Sequence, residues 1–271
     1  MNLSNYFKGK NILITGGSKG IGKAVATELA GLGANLFLIA RDIRTLISCE
    51  KELKTKYPEV QCFISSCDIT DYEKVEATVA EMIERMGAVD GLISNAGVTY
   101  PEYFEKIRME TFEEIVKIDY LGGVSCTKAV LPHLRSGSFL SYTSSVLGYM
   151  GAFGYTAYAG PKFALLGFAE SLRQELKSRG VTISVLCPPD TLTPGYEKEN
   201  RTKPYETFEL SKNVRPIEPK EVAKRYVKAL ARGTFLITVN LESYIYYRLH
   251  GWFPETMRSI IDWMIKGYQK K

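Results

Sequence analysis

A chain of 271 residues, 45% of them hydrophobic, can bury a full core and fits one α/β domain, with no Pro/Ser linker or internal repeat to divide it. Its net charge of +5 is mild, and without a basic run or an aromatic-interleaved basic stripe it gives no case for nucleic acid. Five scattered cysteines with no C-x-x-C pair predict reduced thiols, and two histidines, His133 and His250, without a partner at ligand spacing leave no basis for a metal site.

The first residues, Met1 to Lys8, lack the charged-then-apolar pattern of a signal peptide, and no segment reaches the roughly 18 apolar residues of a membrane span, so a soluble or peripheral cytoplasmic protein is expected. A first predicted strand, Ile12 to Ile14, runs into Thr15-Gly16-Gly17-Ser18-Lys19-Gly20-Ile21-Gly22 and then a helix through Ala24 to Ala30. Strand, glycine turn and helix form a phosphate cradle: glycine lets the backbone approach a ligand, and the helix N-terminus offers free N–H groups and a positive dipole end. A glycine-rich loop without a ligand is the plainer reading, since the spacing is not G-x-G-x-x-G.

The second strand, Asn35 to Ala40, completes a β-α-β unit, and its carboxyl end bears on the cofactor. An acidic residue there would accept from a ribose 2′-hydroxyl and repel a 2′-phosphate, whereas this chain has Ala40 followed by Arg41, with Lys19 nearby. Two cations facing one ribose predict NADP(H) rather than NAD(H); two solvated surface charges are the alternative. A helix over about 43–56, a strand over 61–65 and a helix over about 72–86 follow. Asp68, between the last two, either faces a ligand at a strand's carboxyl end or caps a helix. The strand Gly91 to Ser94 ends in Asn95-Ala96-Gly97, small enough for a cofactor to lie flat. A long helix over about 111–134 and a strand over 138–142 lead to Ser144-Ser145.

Tyr158 and Lys162 then stand four apart on one helix face, the helix beginning near Tyr158. A tyrosine hydroxyl titrates near pH 10, too high for efficient proton transfer at neutral pH, and a nearby lysine cation stabilises the phenolate. A serine hydroxyl can hold a substrate carbonyl. Beside a nicotinamide ring, these groups suffice to reduce a ketone. An ordinary amphipathic helix with a Tyr/Lys pair is the competing reading.

Taken together, Thr15-Gly16-x-x-x-Gly20-x-Gly22, Asp68, Asn95-Ala96-Gly97, and Ser145 ahead of Tyr158-x-x-x-Lys162 resemble the short-chain dehydrogenase/reductase family over about residues 8–240. The resemblance implies an α/β fold with a doubly wound parallel sheet, the Rossmann fold, in a single domain with a helical C-terminal extension. The reductase domain would span 1–240, including a substrate loop at 188–218, and the extension 241–271. Ser145 would polarise the carbonyl, Tyr158 would be the acid/base, and Lys162 would lower the pKa of Tyr158 and hold the nicotinamide ribose. Gly16, Ser18, Lys19, Gly20 and Ile21 would contact the phosphates, Arg41 the 2′-phosphate, and Asp68 with Ile69 the adenine of NADPH. Asn95, Ala96, Gly97 and Thr193, the last where the family usually has a threonine, would complete the cofactor site.

Two departures stand out. Asp119 stands in the long helix where the family usually has an asparagine that kinks the helix, and a carboxylate there would either keep that backbone role or pair with Lys162 and raise its pKa. Gly160-Pro161 lies between Tyr158 and Lys162, where proline is expected to be tolerated in a first turn. The loop from Cys187 through Pro204 and the stretch Gly148 to Tyr158 resemble the subgroup that reduces 3-ketodihydrosphingosine in sphingolipid synthesis. A reductase of another lipid or acyl ketone, such as a 3-oxoacyl thioester or a steroid, is the alternative, and a non-catalytic NADP(H)-binding scaffold is a third. The partner expected is a small-molecule lipid substrate, with a homo-oligomer, dimer or tetramer, implied by the family. After Thr238 the tail alternates apolar and aromatic residues (Tyr244, Tyr246, Tyr247, Trp252, Trp263) with Arg248, Arg258, Lys266, Lys270 and Lys271. It reads either as a packed dimer or lid element, or as a helix pair over 241–267 in peripheral contact with a membrane.

Overall fold

In the computed structural model, which describes residues 2–212 and 214–269, the strands β1 (Asn11–Thr15), β2 (Asn35–Ala40), β3 (Cys62–Ser66), β4 (Gly91–Ser94), β5 (Phe139–Thr143), β6 (Thr182–Cys187) and β7 (Leu236–Thr238) form one parallel sheet. The order is β3-β2-β1-β4-β5-β6-β7. Asn213 of the loop and Lys270 and Lys271 of the tail lie outside the described residues. The helices are α1 (Leu3–Phe7), α2 (Gly20–Gly31), α3 (Ile43–Lys56), α4 (Tyr72–Met86), α5 (Met109–Val116), α6 (Gly122–Val130), α7 (Thr156–Leu176), α8 (Pro194–Glu199), α9 (Tyr205–Ser211), α10 (Pro219–Ala231), α11 (Leu241–Trp252) and α12 (Pro254–Tyr268).

Side chains alternate across a strand, so neighbouring residues feed opposite layers. Ile12, Ile14, Leu36 and Leu38 pack with Val25 and Leu29 of α2, Leu46 of α3, and Val222 and Tyr226 of α10. Leu13, Phe37 and Leu140 pack with Val75 and Val79 of α4, Val130 of α6, and Leu165 and Ala169 of α7 on the other face. Burial on both faces is why these strands read as continuous apolar runs. Both layers are closed, which makes the sheet doubly wound. All five cysteines are buried and unpaired. Among the described residues no helix is long and apolar enough to cross a membrane.

Strand order reverses between β1 and β4, and their carboxyl ends splay open a crevice, the place where such sheets bind ligands. Three local departures from expectation shape that crevice. The single helix expected over 111–134 is broken: α5 gives way to a π-helical turn, Lys117–Leu121, before α6, and a 3-10 turn ends it. The extra residue in a π turn rotates the side chains that follow, and here it buries Asp119 in the crevice wall. Helix α7 begins at Thr156 rather than near Tyr158, so Pro161 falls in its second turn instead of its first. A proline there cannot donate to the carbonyl of Ala157 four residues back. The third departure is β7, three residues long and too short to register as a periodic pattern.

Candidate active site

A cleft of about 840 Å³ at the carboxyl ends of β1 and β4 is lined by every candidate named from the sequence. Its floor is the glycine turn. Gly16 has φ of +63°, a left-handed conformation that L side chains resist, and a Cβ on Gly22 would lie 2.3 Å from the Gly16 carbonyl oxygen. No other residue type fits Gly22 without moving the turn. Helix α2 starts at Gly20 with Lys19 as its N-cap and no side-chain cap, whereas Asp42 and Asp71 cap α3 and α4. Its first N–H groups are therefore left to the cleft, where Ser18, Lys19, Gly20 and Ile21 form the wall.

Arg41 is exposed at the cleft wall beyond β2. The adjacent carboxylate, Asp42, also lines the cleft; the sequence pattern does not single it out as a site residue, although an acidic residue before a helix is a cap signal. Its side chain accepts from the Arg44 N–H at 3.1 Å and lies 3.9 Å from Lys19 Nζ. The first contact caps α3 and the second ties Asp42 to the glycine turn, while Arg41 stands exposed beside them. Asp68 accepts from the Thr70 N–H at 3.0 Å and the Thr70 hydroxyl at 2.8 Å. Those bonds, led by the backbone one, hold its carboxyl below the ordinary range. Helix α4 takes its cap from Asp71 instead, so Asp68 closes the turn beside the cleft with Ile69 buried next to it.

Asn95 fastens the crevice walls together. Thr15 Oγ1 accepts from the N–H groups of Asn95 and Ala96, each at 2.9 Å, tying the end of β4 to the end of β1. Gly97 brings the chain against Asp119 and Lys162: a Cβ there would sit 3.2 Å from both Asp119 Oδ2 and Lys162 Nζ. Beyond the end of β6, Thr193 caps α8 by accepting from the Tyr196 N–H at 3.1 Å, and its methyl group would lie 3.2 Å from a Cβ on Gly20. The loop after β6 thus folds down on the glycine turn.

Ser145 follows β5 and caps a 3-10 turn by accepting from the Leu147 N–H at 3.1 Å. Ser144 donates to the Lys162 carbonyl at 2.8 Å, which locks the start of α7 against β5. Lys162 Nζ donates to the Thr143 carbonyl at 3.0 Å, pairs with Asp119 Oδ2 at 3.0 Å, and lies 5.3 Å from the centroid of the Tyr158 ring. The side chains of Lys162 and Asp119 are 4% and 0% exposed, so this is a buried ion pair. Asp119 also accepts from the Val98 N–H at 2.7 Å. Burial pulls the Lys162 ammonium down, but Asp119 and Tyr158 outweigh it and hold the lysine above its ordinary value. Lys162 is charged in this site.

Tyr158 behaves differently from the expectation. Lys162 does act to lower its pKa, yet burial, reinforced by Asp119 and Glu199, pushes the phenol up to about 12. The sign of the lysine effect is as expected, and Asp119 pairs with Lys162 and raises its pKa, one of the two roles open to it from the sequence; what the sequence does not reveal is the desolvation of Tyr158 and the reach of Glu199.

Another group that the sequence pattern leaves unmarked lies on the substrate loop. Glu199 and Asp190 line the cleft, and Lys203, its side chain 1% exposed, stands 3.3 Å from Glu199 Oε1 and 3.9 Å from Asp190 Oδ2. Tyr155 donates to Glu199. Glu199 and Lys203 have the i, i+4 spacing that could have flagged them; Asp190 and Tyr155 join them only through the fold. A second wall comes from α12, whose Met257, Ile260, Ile261 and Met264 line the same cleft, in keeping with the lid alternative for the tail. Packing of α12 on α9 brings them there, so the tail serves as a lid on the cleft.

Residues 10–204 match the model of the short chain dehydrogenase family. The chain belongs to this family. This short-chain dehydrogenase is 38% identical over 242 residues to the 3-ketodihydrosphingosine reductase of Bos taurus, a match covering 88% of this chain and 73% of that one. It resembles the crystal structure of levodione reductase with a TM-score of 0.81 at 26% identity, over 88% of this chain and 99% of the other. It also resembles an alcohol dehydrogenase from the archaeon Thermococcus sibiricus, solved with 5-hydroxy-NADP, with a TM-score of 0.74 at 26% identity, over 84% and 95% of the two chains. The protein is accordingly an oxidoreductase of a family that uses a nicotinamide dinucleotide.

Proposed function

We propose that this enzyme reduces the keto group of 3-ketodihydrosphingosine to the alcohol with NADPH, a step of sphingolipid synthesis. The observation that carries the reading is the apolar wall of α12: Met257, Ile260, Ile261 and Met264, with Leu210 and Val214 across from the loop side, extend the cleft that holds Ser145 and Tyr158. A long hydrocarbon chain is the ligand such a wall suits, each buried methylene contributing about 0.8 kcal/mol. The bovine relative's name agrees with that choice.

The residues fit the cofactor. The Gly16 to Ile21 turn, with α2 uncapped by any side chain, suits a pyrophosphate, and the cradle is one that a Cβ on Gly22 would fill. Arg41 and Lys19 suit a 2′-phosphate, Asp68 and Ile69 the adenine, Asn95 to Gly97 and Thr193 the nicotinamide half. Bound NADPH supplies the hydride for the carbonyl carbon. Ser145 donates a hydrogen bond to the carbonyl oxygen, Tyr158 delivers a proton to that oxygen, and Lys162 stabilises the phenolate left behind. Asp119 holds Lys162 charged and in place.

The same reading seats the protein on the cytoplasmic face of a membrane. Its substrate partitions into the bilayer, and α11, α12 and Phe253 between them leave Leu241, Trp252, Phe253 and Trp263 exposed, with Arg248 stacked over Trp252 at 4.4 Å. A dimer or tetramer is the assembly that family membership implies. The test is NADPH oxidation with a panel of ketones: 3-ketodihydrosphingosine, a 3-oxoacyl thioester and a steroid ketone. The highest kcat/KM belongs to the sphingoid ketone; a preference for either of the others, or no oxidation with any, refutes the assignment.

A further inference from the structure

The cluster on the substrate loop is unbalanced in charge. Glu199 and Asp190 face the cleft, and one cation, Lys203, serves them both. Lys203 Nζ is fully enclosed yet makes no hydrogen bond, despite standing 3.3 Å from Glu199 and 3.9 Å from Asp190. Two carboxylates face one ammonium there, with the Glu199 and Asp190 side chains 14% and 28% exposed, and a carboxylate that loses water without gaining a partner is destabilised. Burial pushes both carboxyls above the ordinary range, with Lys203 and Tyr155 working against it at Glu199. A cation entering the cleft would remove that penalty.

The location narrows which cation. Tyr155 donates to Glu199, and the Tyr155 ring lies 6.1 Å from the ring of Tyr158, so the carboxylate is one aromatic side chain away from the proton donor. In a 2-amino-3-ketone the ammonium nitrogen is two bonds from the carbonyl carbon, about 2.5 Å away. Ser145, Tyr158, Tyr155, Glu199 and Asp190 all line one cleft, so a carbonyl held by the first two keeps its ammonium group in the cleft that the two carboxylates face. We infer that Glu199, with Asp190, forms the subsite for the protonated amino group of a 2-amino ketone, and that this subsite selects amino ketones over otherwise identical ketones. The inference rests on the sphingoid-ketone reading above and adds to it the group by which the substrate is told apart from a fatty ketone.

An ammonium at this place also acts on the reaction. Glu199 is one of the charges that raise the Tyr158 pKa. Pairing it with the substrate cancels that contribution, so the substrate itself makes its proton donor more acidic.

The experiment compares two ketones in the full-length enzyme with NADPH: 3-ketodihydrosphingosine and the long-chain 1-hydroxy-3-ketone that lacks the amino group. The readout is the ratio of their kcat/KM values, which is insensitive to the fraction of folded protein. The wild type favours the amino ketone by about tenfold to a hundredfold, the range of a charge-assisted hydrogen bond. Glu199→Gln brings the ratio close to one, and Asp190→Asn, which keeps the Tyr155 bond to Glu199, lowers it in the same direction. A wild-type ratio near one with both ketones reduced overturns the subsite and leaves the ketoreductase standing. A wild-type preference that both variants keep in full also overturns it. If neither ketone is reduced, the function on which the inference rests fails, and the inference with it.

Discussion

Replacing Asp119 by asparagine removes one charge from the catalytic site and almost no volume. Asp119 Oδ2 lies 3.0 Å from Lys162 Nζ, and that atom lies 5.3 Å from the Tyr158 ring centroid, so the carboxylate is at most about 8 Å from the ring centre. Two unit charges at about 8 Å in an effective dielectric of about 20 interact by about 2 kcal/mol, equivalent to about 1.5 pKa units. Asp119 raises the Tyr158 pKa, so its removal lowers it. During ketone reduction Tyr158 must carry its proton, and activity is lost as pH rises through its pKa. The alkaline limb of kcat/KM against pH therefore moves down by about 1.5 units in Asp119→Asn. An asparagine oxygen still accepts from the Val98 N–H, and Lys162 keeps the Thr143 carbonyl, so NADPH affinity serves as the control for an intact site. An alkaline limb that stays in place, or moves up, while NADPH binding is intact would show that Asp119 does not couple to the proton donor.

Arg41→Ala weakens NADPH by about tenfold or more, from the roughly 1.5–3 kcal/mol of a hydrogen bond to a charged group, and leaves NADH nearly unchanged; equal losses in a fluorescence titration of the two would remove Arg41 from the 2′-phosphate site. Tyr158→Phe abolishes ketone reduction while NADPH still binds, and near-normal turnover would refute its role as acid. Lys162→Met costs about 3–5 kcal/mol of stability in urea melts, because Asp119 is left buried without its cation; an unshifted midpoint would mean the pair is not formed. The double substitution Trp252→Ser and Trp263→Ser, at side chains 62% and 75% exposed, abolishes flotation with anionic vesicles at low salt without changing NADPH binding; a wild type that stays in the aqueous fraction refutes the membrane contact.

Much of this site is legible in the amino-acid pattern because a doubly wound sheet gathers strand ends. Gly16, Arg41, Asp68, Asn95 and Ser145 follow five different strands, and parallel pairing alone brings all five to one edge of the sheet. Helices α3 and α4 begin and end where the apolar spacing and the Asp42 and Asp71 caps place them. The π turn at Lys117–Leu121 leaves no mark in the apolar pattern, because one extra residue shifts the buried face by a fraction of a turn and the pattern over 111–134 absorbs that without a visible break; only the family resemblance, which implies a kink at Asp119, points to it. Nothing local could give the burial of Tyr158 either. Its pKa depends on Asp119 and Glu199, which lie 39 and 41 positions away along the chain.

The tail shows most clearly how far a sequence pattern reaches. Helix α12 is amphipathic with apolar residues on more than one face, and periodicity cannot say which face meets protein. The packing on α9 and α11 answers that, turning Met257, Ile261 and Met264 to the cleft and Trp263 to the outside. No residue of α12 is fully buried. A helix held by one partly covered face has little of the tertiary packing that stabilises helices in water, so it belongs among the elements that open most readily. The apolar wall of the cleft is therefore also its most easily displaced part. That suits a site whose ligand is too insoluble to arrive through water: filling the cleft with a hydrocarbon chain completes the packing that α12 lacks on its inner face, as a bilayer would complete it on the outer one.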